Sequence, residues 1–350
     1  MDQHRTVGQP AASGRPRVMI GLSLSHEQFA VPQLVEFGVL AEQAGFAAVW
    51  ASDHFEPWQE NQGHAGFAWV TLAALGQRTR RILMGTAVTC PLYRYRPQIV
   101  AQAFASLGLL YPERIFLGVG AGEAVNEIPS GGGWGTYQER AERLEEAVTL
   151  IQRLWMGGWV GAQGRYYPVE QARLYDVPSP PVPLYVAATG AKSMALAGKI
   201  GDGLVTFTGL ARQPELRQAF EQGAREAGKN PASMPTLVEH FVVVGTRQEA
   251  ERCAPLWRFS PKAASYLNDP DPRSIQHRAE AEVPLEQVAR QWLVSEDPEA
   301  HLQALQELMA SGATQIFIHS PQPDQAKVIR FYGEQVLPQL SQAPLAGRRR

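Results

Sequence analysis

Short apolar runs rich in β-branched residues recur along the whole chain, and stretches with helical periodicity separate them. Strands that are apolar almost throughout, rather than at every second position, are typical of a parallel sheet with both faces covered. Eight such runs alternating with helices predict the α/β class and a TIM (β/α)8 barrel, whose core takes roughly 250 residues. The predicted strands are Val18–Leu24, Ala47–Asp53, Ile82–Thr89, Ile115–Gly122, Leu184–Thr189, Gly203–Thr208, Leu237–Gly245 and Gln315–Ser320.

The segments between the strands carry the apolar stripe of amphipathic helices. In Gln138–Trp155, Leu144, Val148 and Ile151 fall on one stripe, while charged residues occupy the opposite face. Three of these segments are followed by a glycine, which suits the left-handed residue that ends a helix. The other predicted helices are Pro32–Ala44, Gln98–Leu110, Glu215–Ala227 and Pro298–Ala310, and the capping glycines are Gly45, Gly228 and Gly312.

Two stretches are too long for ordinary crossovers and therefore predict insertions into the barrel. The proline-rich Gly157–Pro183 follows the fourth helix, and Thr246–Glu296, between the seventh and eighth strands, is expected to place extra helices over the barrel mouth. An open doubly wound sheet is the competing architecture, but no strand is followed by its Gly-x-Gly-x-x-Gly fingerprint. We expect a single domain over residues 18–340, with disordered tails at 1–17 and 341–350.

The composition argues against a nucleic-acid partner, a membrane span, secretion and a bound metal. The formal net charge of −2 argues against a nucleic-acid partner, because phosphate binding needs a basic surface. No stretch approaches roughly 18 apolar residues and the N-terminus lacks a signal h-region, so we expect neither a membrane span nor secretion. Cys90 and Cys253 are too few for a disulfide framework, which fits a reducing cytoplasm. No histidine pair has metal-ligand spacing, so no metal is expected.

In a TIM barrel the reacting groups project from the carboxyl ends of the strands. Three of the four tips that follow strands two to five hold glycine with small neighbours, which lets a flat ring or a phosphate approach the backbone. One such tip is weak support, because tight turns also need glycine, but several converging on one face are stronger. The four tips are Ala51–Trp58, Gly85–Pro91, Gly118–Asn126 and Ala187–Gly190.

His54 is the sharpest candidate for catalysis. A histidine changes charge near neutral pH, so it can take a proton from an alcohol as hydride leaves the carbon. The alternative is a buried histidine bonded to a carbonyl, and the strand-tip position between Asp53 and Trp58 favours the catalytic interpretation. Asp53 could orient the histidine ring, bind a cofactor, or serve only as an N-cap or loop bracket.

Glu123 follows the glycines of the fourth tip, so its carboxylate should stand at the mouth and could supply a proton. A first-turn glutamate favoured by the helix dipole is the alternative, and the two interpretations are compatible. Asn126 lies one helical turn further and can face the same way. Glu127 is interpreted as a solvated or structural charge.

Several of these stretches resemble the luciferase-like oxidoreductases that use the deazaflavin F420, in particular the F420-dependent glucose-6-phosphate dehydrogenases. The most specific parts are Asp-His-Phe-x-Pro-Trp at residues 53–58 and Gly-Glu-Ala-x-Asn-Glu at residues 122–127, and the likeness runs from about Val18 to Leu340. The resemblance implies a TIM barrel, F420 as the hydride carrier and often a homodimer. Further matching stretches are Arg94–Pro97, Ile99–Phe104, Tyr111–Pro112, Leu174–Pro178, Ala197–Gly203 and Leu285–Val288.

The resemblance also implies roles for individual residues. His54 matches the family's active-site base or anion stabiliser, with Trp58 beside it, and Glu123 matches the carboxylate that serves the deazaflavin's ring nitrogen. Ala87–Val88 matches a cis peptide behind that ring, and Glu27 matches a polar residue on the substrate side. Cofactor-contacting positions match at Asp53, Gly120, Ala121, Asn126, Thr189 and Gly190, and we also expect Ala87, Val88, Cys90, Gly122 and Thr208 to contact the cofactor.

The chain departs from the family where the sugar phosphate binds. The glucose-6-phosphate enzymes use two lysines and an arginine there, and this chain has Leu210, Ala264 and Gln291. Lys262 is near enough in sequence to substitute for one of them. Each charge-assisted hydrogen bond is worth roughly 1.5–3 kcal/mol, so losing three cations is a large deficit. We therefore expect a small, unphosphorylated alcohol, sugar or carbonyl substrate rather than glucose 6-phosphate.

Two other functions stay open from the sequence alone. An oxidoreductase or monooxygenase that uses FMN would keep the fold and change the cofactor, and spectra recorded with F420 and FMN would separate the two. A non-catalytic protein that binds a deazaflavin or a sugar is the third candidate. The presence of two proton-handling residues, His54 and Glu123, argues against it.

Overall fold

The computed structural model describes residues 18–342, and its centre is a closed barrel of eight parallel strands. The barrel strands are β1 (Met19–Leu24), β2 (Ala48–Ala51), β3 (Leu83–Thr86), β4 (Ile115–Val119), β7 (Leu184–Ala187), β8 (Gly203–Phe207), β9 (Thr236–Val244) and β11 (Gln315–His319). Three further strands are β5 (Val160–Ala162), β6 (Val169–Ala172) and β10 (Leu293–Ser295). β1 pairs with β2 and β11, and β9 closes the ring by pairing with β8 and β11. All eight predicted strands, and the TIM barrel, are confirmed.

The remaining three strands lie outside the barrel. β5 and β6 form an antiparallel hairpin in the first insertion, and β10 extends the carboxyl end of β9, where Leu293 pairs with Val242. None of these three strands was predicted, because β5, β6 and β10 are short and lack the continuous apolar run of the barrel strands.

Helices cover the outer face of the barrel and cross its mouth. The five predicted helices are confirmed to within one residue at each end, and Gly45, Gly228 and Gly312 have φ angles of 92°, 73° and 105°. Such positive angles are the left-handed conformation expected after a helix. The helices are α1 (Val31–Ala44), α2 (Ala68–Arg78), α3 (Pro97–Leu110), α4 (Ala124–Glu127), α5 (Tyr137–Trp155), α6 (Ala191–Ile200), α7 (Thr208–Ala211), α8 (Pro214–Glu226), α9 (Arg247–Cys253), α10 (Ala263–Tyr266), α11 (Pro272–Glu282), α12 (Leu285–Ala289), α13 (Pro298–Ala310), α14 (Gln325–Phe331) and α15 (Leu337–Gln342).

Aromatic side chains close the barrel below its mouth. Trp50 of β2 and Phe317 of β11 stack with ring centroids 3.9 Å apart and planes 4° apart, and Phe116 of β4 lies beside them. A Cβ at Gly21 of β1 would come within 2.5 Å of the Phe317 ring, so only glycine leaves room for this layer. The stacked rings form a floor, above which the strand tips open.

The second insertion forms a lid, by which we mean residues 247–295, containing α9 to α12 and β10. Its buried core includes Trp257, Phe259 and Trp292, and this core packs against Trp58 at the tip of β2 and Val125 in α4. The prediction that the second insertion places extra helices over the mouth is confirmed. The lid therefore contacts the strand tips that carry the candidate residues.

The predicted terminal tails fall mostly outside the described residues. Residues 1–17 and 343–350 lie beyond the described part of the chain, and α15 continues to Gln342, two residues past the predicted domain boundary at 340. Within residues 18–342, no helix is long and apolar enough to cross a membrane.

Candidate active site

The tips of β3 and β4 form a flat surface of small residues, which we call the platform: Ala87, Val88, Gly120 and Ala121. The Ala87–Val88 peptide is cis, as the family resemblance implied. A Cβ at Gly120 would lie 2.6 Å from Cγ2 of Val88, so a larger residue there would disturb the surface. The platform can therefore receive a flat ring against the backbone.

His54, at the tip of β2, is paired with a carboxylate. Its Nε2 lies 3.1 Å from Oε1 of Glu27, in the loop that follows β1, and the His54 side chain is 10% exposed. The hydroxyls of Ser52 and Ser25 donate to the other oxygen, Oε2, of Glu27, at 2.6 and 2.9 Å. The predicted substrate-side residue Glu27 is thus the direct partner of the predicted base.

The environment of Glu27 keeps its carboxylate charged. Burial alone would raise the pKa of Glu27, but the charge of His54 and the hydrogen bonds from Ser52 and Ser25 bring this pKa below its ordinary value. A buried anion in contact with an imidazole favours the protonated ring, so Glu27 stabilises the charge that His54 would acquire as a base.

Asn126 contacts Nδ1, the other ring nitrogen of His54. Its Oδ1 accepts the backbone N–H of Phe55 at 2.8 Å, which identifies its Nδ2 as the donor group. This Nδ2 lies 3.2 Å from Nδ1 of His54, and the carbonyl oxygen of Glu56 lies 3.2 Å from the same nitrogen. Nδ1 thus has a donor and an acceptor at equal distance: the neutral ring accepts from Asn126, and the protonated ring donates to Glu56.

Asn126 also reaches the second proton-handling residue. Its Nδ2 donates to Oε2 of Glu123 at 3.1 Å, so one amide group touches both His54 and Glu123. Asn126 is buried in the short helix α4, and Glu123 is the residue that precedes this helix. Trp58 lies beside His54, with ring centroids 5.9 Å apart, and stacks on Phe259 of the lid at 4.8 Å. His54, Glu123 and Trp58, predicted as catalytic, are therefore gathered in one place.

Asp53 faces a buried network rather than the open mouth. Its Oδ1 accepts from Arg94 at 2.7 Å and from the Tyr95 hydroxyl at 3.2 Å, and its Oδ2 accepts from the Thr89 hydroxyl at 2.6 Å. The side chains of Asp53 and Arg94 are 1% and 7% exposed. These contacts tie the β2 tip to the loop after β3, so the loop-bracket interpretation of the Asp53 side chain fits the geometry.

Glu127 is a structural charge and not a solvated one. It is fully buried, its Oε2 accepts the backbone N–H of Arg94 at 2.8 Å, and burial raises its pKa. Cys90 lies beside it beneath Gly122, whose φ is 76° and whose Cβ would come within 2.6 Å of the Cys90 sulfur. Burial raises the pKa of the Cys90 thiol well above its usual value, so Cys90 supports the β4 tip from below rather than lining the mouth.

The tips of β7 and β8 carry the other predicted cofactor positions. Thr189 and Gly190 are exposed at the start of α6, and their backbone N–H groups donate to the Ser193 hydroxyl at 3.2 and 3.0 Å. The Thr208 hydroxyl donates to the carbonyl of Glu239 at 2.9 Å and is therefore already engaged. Leu210 packs its half-buried side chain against the main core.

The lid carries the remaining predicted substrate residues at exposed positions. Ala264 lies on α10, and Gln291, just after α12, is 3.5 Å from the Ser260 hydroxyl. The Lys262 ammonium pairs with Glu282 at 3.4 Å. The arginines near these positions are also engaged in intramolecular contacts, Arg212 with Glu307, Arg258 with the carbonyl of Val283, and Arg290 with Glu286.

Sequence reasoning missed one polar pair in the mouth. Glu239 of β9 and His319 at the end of β11 are joined by a contact of 2.8 Å between Oε1 and Nδ1. The signal was a glutamate inside an otherwise apolar strand, Leu237–Gly245, but the partner lies 80 residues away in the sequence. In the part of the chain that the structure describes, no group of three or more His, Cys, Asp or Glu side chains could hold a metal ion.

Comparisons with known proteins were consistent with one another. A family model described as luciferase-like monooxygenase matches residues 15–315. The F420-dependent hydroxymycolic acid dehydrogenase of Mycobacterium tuberculosis is 46% identical over 332 residues, which cover 95% of this chain and 89% of that protein. The F420-dependent glucose-6-phosphate dehydrogenase of Nakamurella multipartita is 40% identical over 330 residues, covering 93% and 97%.

A solved structure is similar over the same extent. An F420-dependent secondary alcohol dehydrogenase, in complex with an F420–acetone adduct, superposes with a TM-score of 0.87 at 31% identity. The match covers 93% of this chain and 99% of that one. The likeness therefore includes the barrel, the lid and the strand tips that carry the candidate site.

Proposed function

The chain belongs to the luciferase-like monooxygenase family, and from this we propose its function. It is an F420-dependent oxidoreductase, as its relatives named for F420 support, and it acts on a small, unphosphorylated alcohol, sugar or the corresponding carbonyl compound. The observation that carries the proposal is the cluster of His54, Glu27, Asn126 and Glu123 beside the platform. The cluster supplies His54, which can take a proton from the substrate hydroxyl, and Glu123, which can supply a proton to the cofactor.

The residues at the strand tips fit F420. The platform leaves no side chain beyond Cγ of Val88 in the way of a flat ring, since its other members are alanine or glycine. Gly190 precedes α6, and a Cβ there would meet nothing within 4 Å, so the open start of this helix suits a negatively charged part of the cofactor. When bound, F420 supplies a hydride acceptor at its C5.

His54 takes the hydroxyl proton as the carbon–oxygen double bond forms. Both ring nitrogens have polar partners in the structure, so the substrate hydroxyl replaces one of these partners as it hands over its proton, and the ring keeps the other contact. Glu27, in contact with the ring, stabilises the positive charge that the ring gains. Glu123 is placed to supply the proton that the reduced ring takes up, and the lid excludes water through Trp58 and Phe259. Reduction of a carbonyl uses the same groups in reverse.

The engaged cations support an unphosphorylated substrate. Lys262, Arg212 and Arg290 pair with carboxylates, and Arg258 donates to a backbone carbonyl, so a sugar phosphate would have to break these contacts to gain a cation. Leu210, at a position where the glucose-6-phosphate enzymes hold a lysine, offers no charge.

Replacing His54 tests the function. We expect His54→Ala to lower kcat for F420 reduction by about 10²–10⁴-fold, the usual contribution of a general base, while the F420 affinity changes little. His64→Ala, at an exposed histidine in the loop before α2, is the matched control. F420 binding is followed by its fluorescence, with FMN titrated in parallel. Full turnover by His54→Ala would remove this residue from the mechanism, and binding of FMN but not F420 would overturn the cofactor.

We also propose that the enzyme is a cytoplasmic homodimer. Val70 on α2 and Ile99 and Leu110 on the adjacent α3 are large apolar side chains, each more than half exposed. Exposed apolar residues on neighbouring helices are typical of a protein–protein interface. Cys90 and Cys253 are both free and buried, which a reducing compartment preserves.

A further inference from the structure

The pair formed by Glu239 and His319 is not used by the mechanism above, yet it lies in the barrel mouth. Leu237 of β9 and Phe317 of β11 belong to the interior layer of the barrel, and side chains alternate along a strand. Glu239 and His319, each two residues further towards the carboxyl end, therefore face inward directly above the floor of Trp50 and Phe317. This is where a ligand entering the mouth would end.

The position of the pair relative to His54 follows from β1. The Ser23 hydroxyl lies 3.5 Å from Oε1 of Glu239, and the Ser25 hydroxyl donates to Glu27. Ser23 also accepts from the Trp50 indole at 2.8 Å, which fixes its orientation. Ser23 lies in β1 and Ser25 is the first residue after it, so the chain runs from the contact with Glu239 towards the contact with Glu27 as it leaves the barrel. The Glu239 pair is thus a second polar level, deeper in the barrel than the His54 pair.

The geometry makes Glu239 the accessible member and His319 its support. The ring of His319 stacks on Phe241 at 4.1 Å and meets the edge of Trp257 at 4.6 Å, so aromatic neighbours hold it on two sides. The Glu239 side chain is 17% exposed. Among the described residues, its recorded side-chain contacts all fall on Oε1, which leaves Oε2 available to a ligand.

We propose that Glu239, oriented by His319, is a substrate-binding residue that accepts a hydrogen bond from a second hydroxyl group, two or three carbons from the one that is oxidised. The inference rests on the proposed function, because it assumes that the reacting hydroxyl lies at His54. A carboxylate at this depth attracts hydroxyl donors and repels anions, so the enzyme selects neutral diols and polyols over single alcohols and over hydroxy acids.

The test uses three probes with one carbon skeleton: butan-2-ol, butane-1,3-diol and 3-hydroxybutanoate. They place a methyl, a hydroxymethyl or a carboxylate group at the same distance from a secondary alcohol. In the intact protein with F420, we expect kcat/KM to be about tenfold or more higher for the diol than for butan-2-ol, and lowest for the acid. In Glu239→Gln, which keeps the shape and the contact to His319, the diol should lose its advantage and the acid should gain relative to butan-2-ol.

Binding of the same probes gives a readout that does not need turnover. Trp257 packs against His319, and Trp50 donates to Ser23 beside Glu239, so tryptophan fluorescence of the F420-free protein reports occupancy. Glu60→Gln, at an exposed glutamate in the short turn after the β2 tip, is the control and should behave as the unsubstituted protein. Turnover with no diol preference, or a preference that persists in Glu239→Gln, overturns the inference. A diol preference in binding without any F420 reduction supports it and overturns the proposed function instead.

Discussion

Asn126 presents a hydrogen-bond donor to Nδ1 of His54, and replacing that donor with an acceptor should favour a proton on the ring. In Asn126→Asp, one carboxylate oxygen can still accept the backbone N–H of Phe55, so the loop keeps its anchor. The other oxygen replaces a donor 3.2 Å from Nδ1 of His54 and can only accept, which demands a proton on the ring. The same oxygen also faces Oε2 of Glu123, to which Nδ2 of Asn126 donates at 3.1 Å, so the substitution places a second carboxylate against Glu123 as well as against His54, with little change of shape.

The size of the expected shift in the pH profile follows from the distance between the new carboxylate and the His54 ring. An opposite charge within about 4–6 Å shifts a titration by roughly 1–3 units towards the charged form. Dehydrogenation needs His54 as a proton acceptor, so an added negative charge beside the ring should slow the reaction until the pH is high enough to restore the acceptor. We therefore expect the ascending limb of kcat/KM against pH to move up by about 1–3 units. The rate near neutral pH should fall by about 10- to 1000-fold and should recover at alkaline pH.

The assay is F420 reduction across pH, with F420 affinity and thermal unfolding measured on the same samples. Asn268→Asp is the matched control: this exposed asparagine accepts from the Trp134 indole at 2.8 Å, so aspartate adds the same charge and keeps the bond. An Asn126→Asp profile that falls equally at every pH would refute the reasoning, because it would mean that Asn126 only supports the fold or the cofactor. An unchanged profile would refute it too.

Two further predictions concern stability and assembly. Burial lowers the pKa of His240 from 6.5 to about 4, so the unfolded chain takes up its proton first, and stability is lost as pH falls from about 6.5 to about 4. His240→Gln should remove about 3 kcal/mol of the fall in unfolding free energy between pH 7 and pH 4, measured by urea unfolding at the two pH values. The same pH dependence in His240→Gln and in the unsubstituted protein would contradict the assignment. Ile99→Asp should convert the dimer into a monomer in analytical ultracentrifugation, and an unchanged mass would place the interface elsewhere.

The fold could be predicted because the barrel strands are local in sequence. Each of the eight strands is a short apolar run bounded by glycine or polar residues, and each predicted strand overlaps the observed one. The lid could be located by its length, but its aromatic core, with Trp257 against His319, could not be predicted. Such contacts depend on how a chain of short helices returns over the mouth.

The site could be predicted only where chemistry and strand tips coincide in the sequence. His54 lies in the loop just after β2, and Glu123 and Asn126 lie in the loop and the short helix just after β4, so the barrel geometry brings them together. The pairing of His54 with Glu27 depends on a loop that folds back from β1, and neither residue indicates it alone. Asp53 shows the opposite case, since a conspicuous residue beside the catalytic histidine turns its side chain into a buried network with Arg94.

The charges around the mouth lead to one conclusion about the substrate. Glu27 and Glu239 are the carboxylates of two imidazole pairs, and they contact Ser25, the first residue after β1, and Ser23, near the end of β1. Two nearby cations, Lys262 of the lid and Arg212 just after α7, are paired with carboxylates on the surface. An anion would meet repulsion at both levels, because each level is built around a carboxylate. A hydroxyl group, in contrast, finds an acceptor at each level, so we expect the mouth to hold a ligand with two hydroxyl groups, one at Glu27 and His54 and one at Glu239.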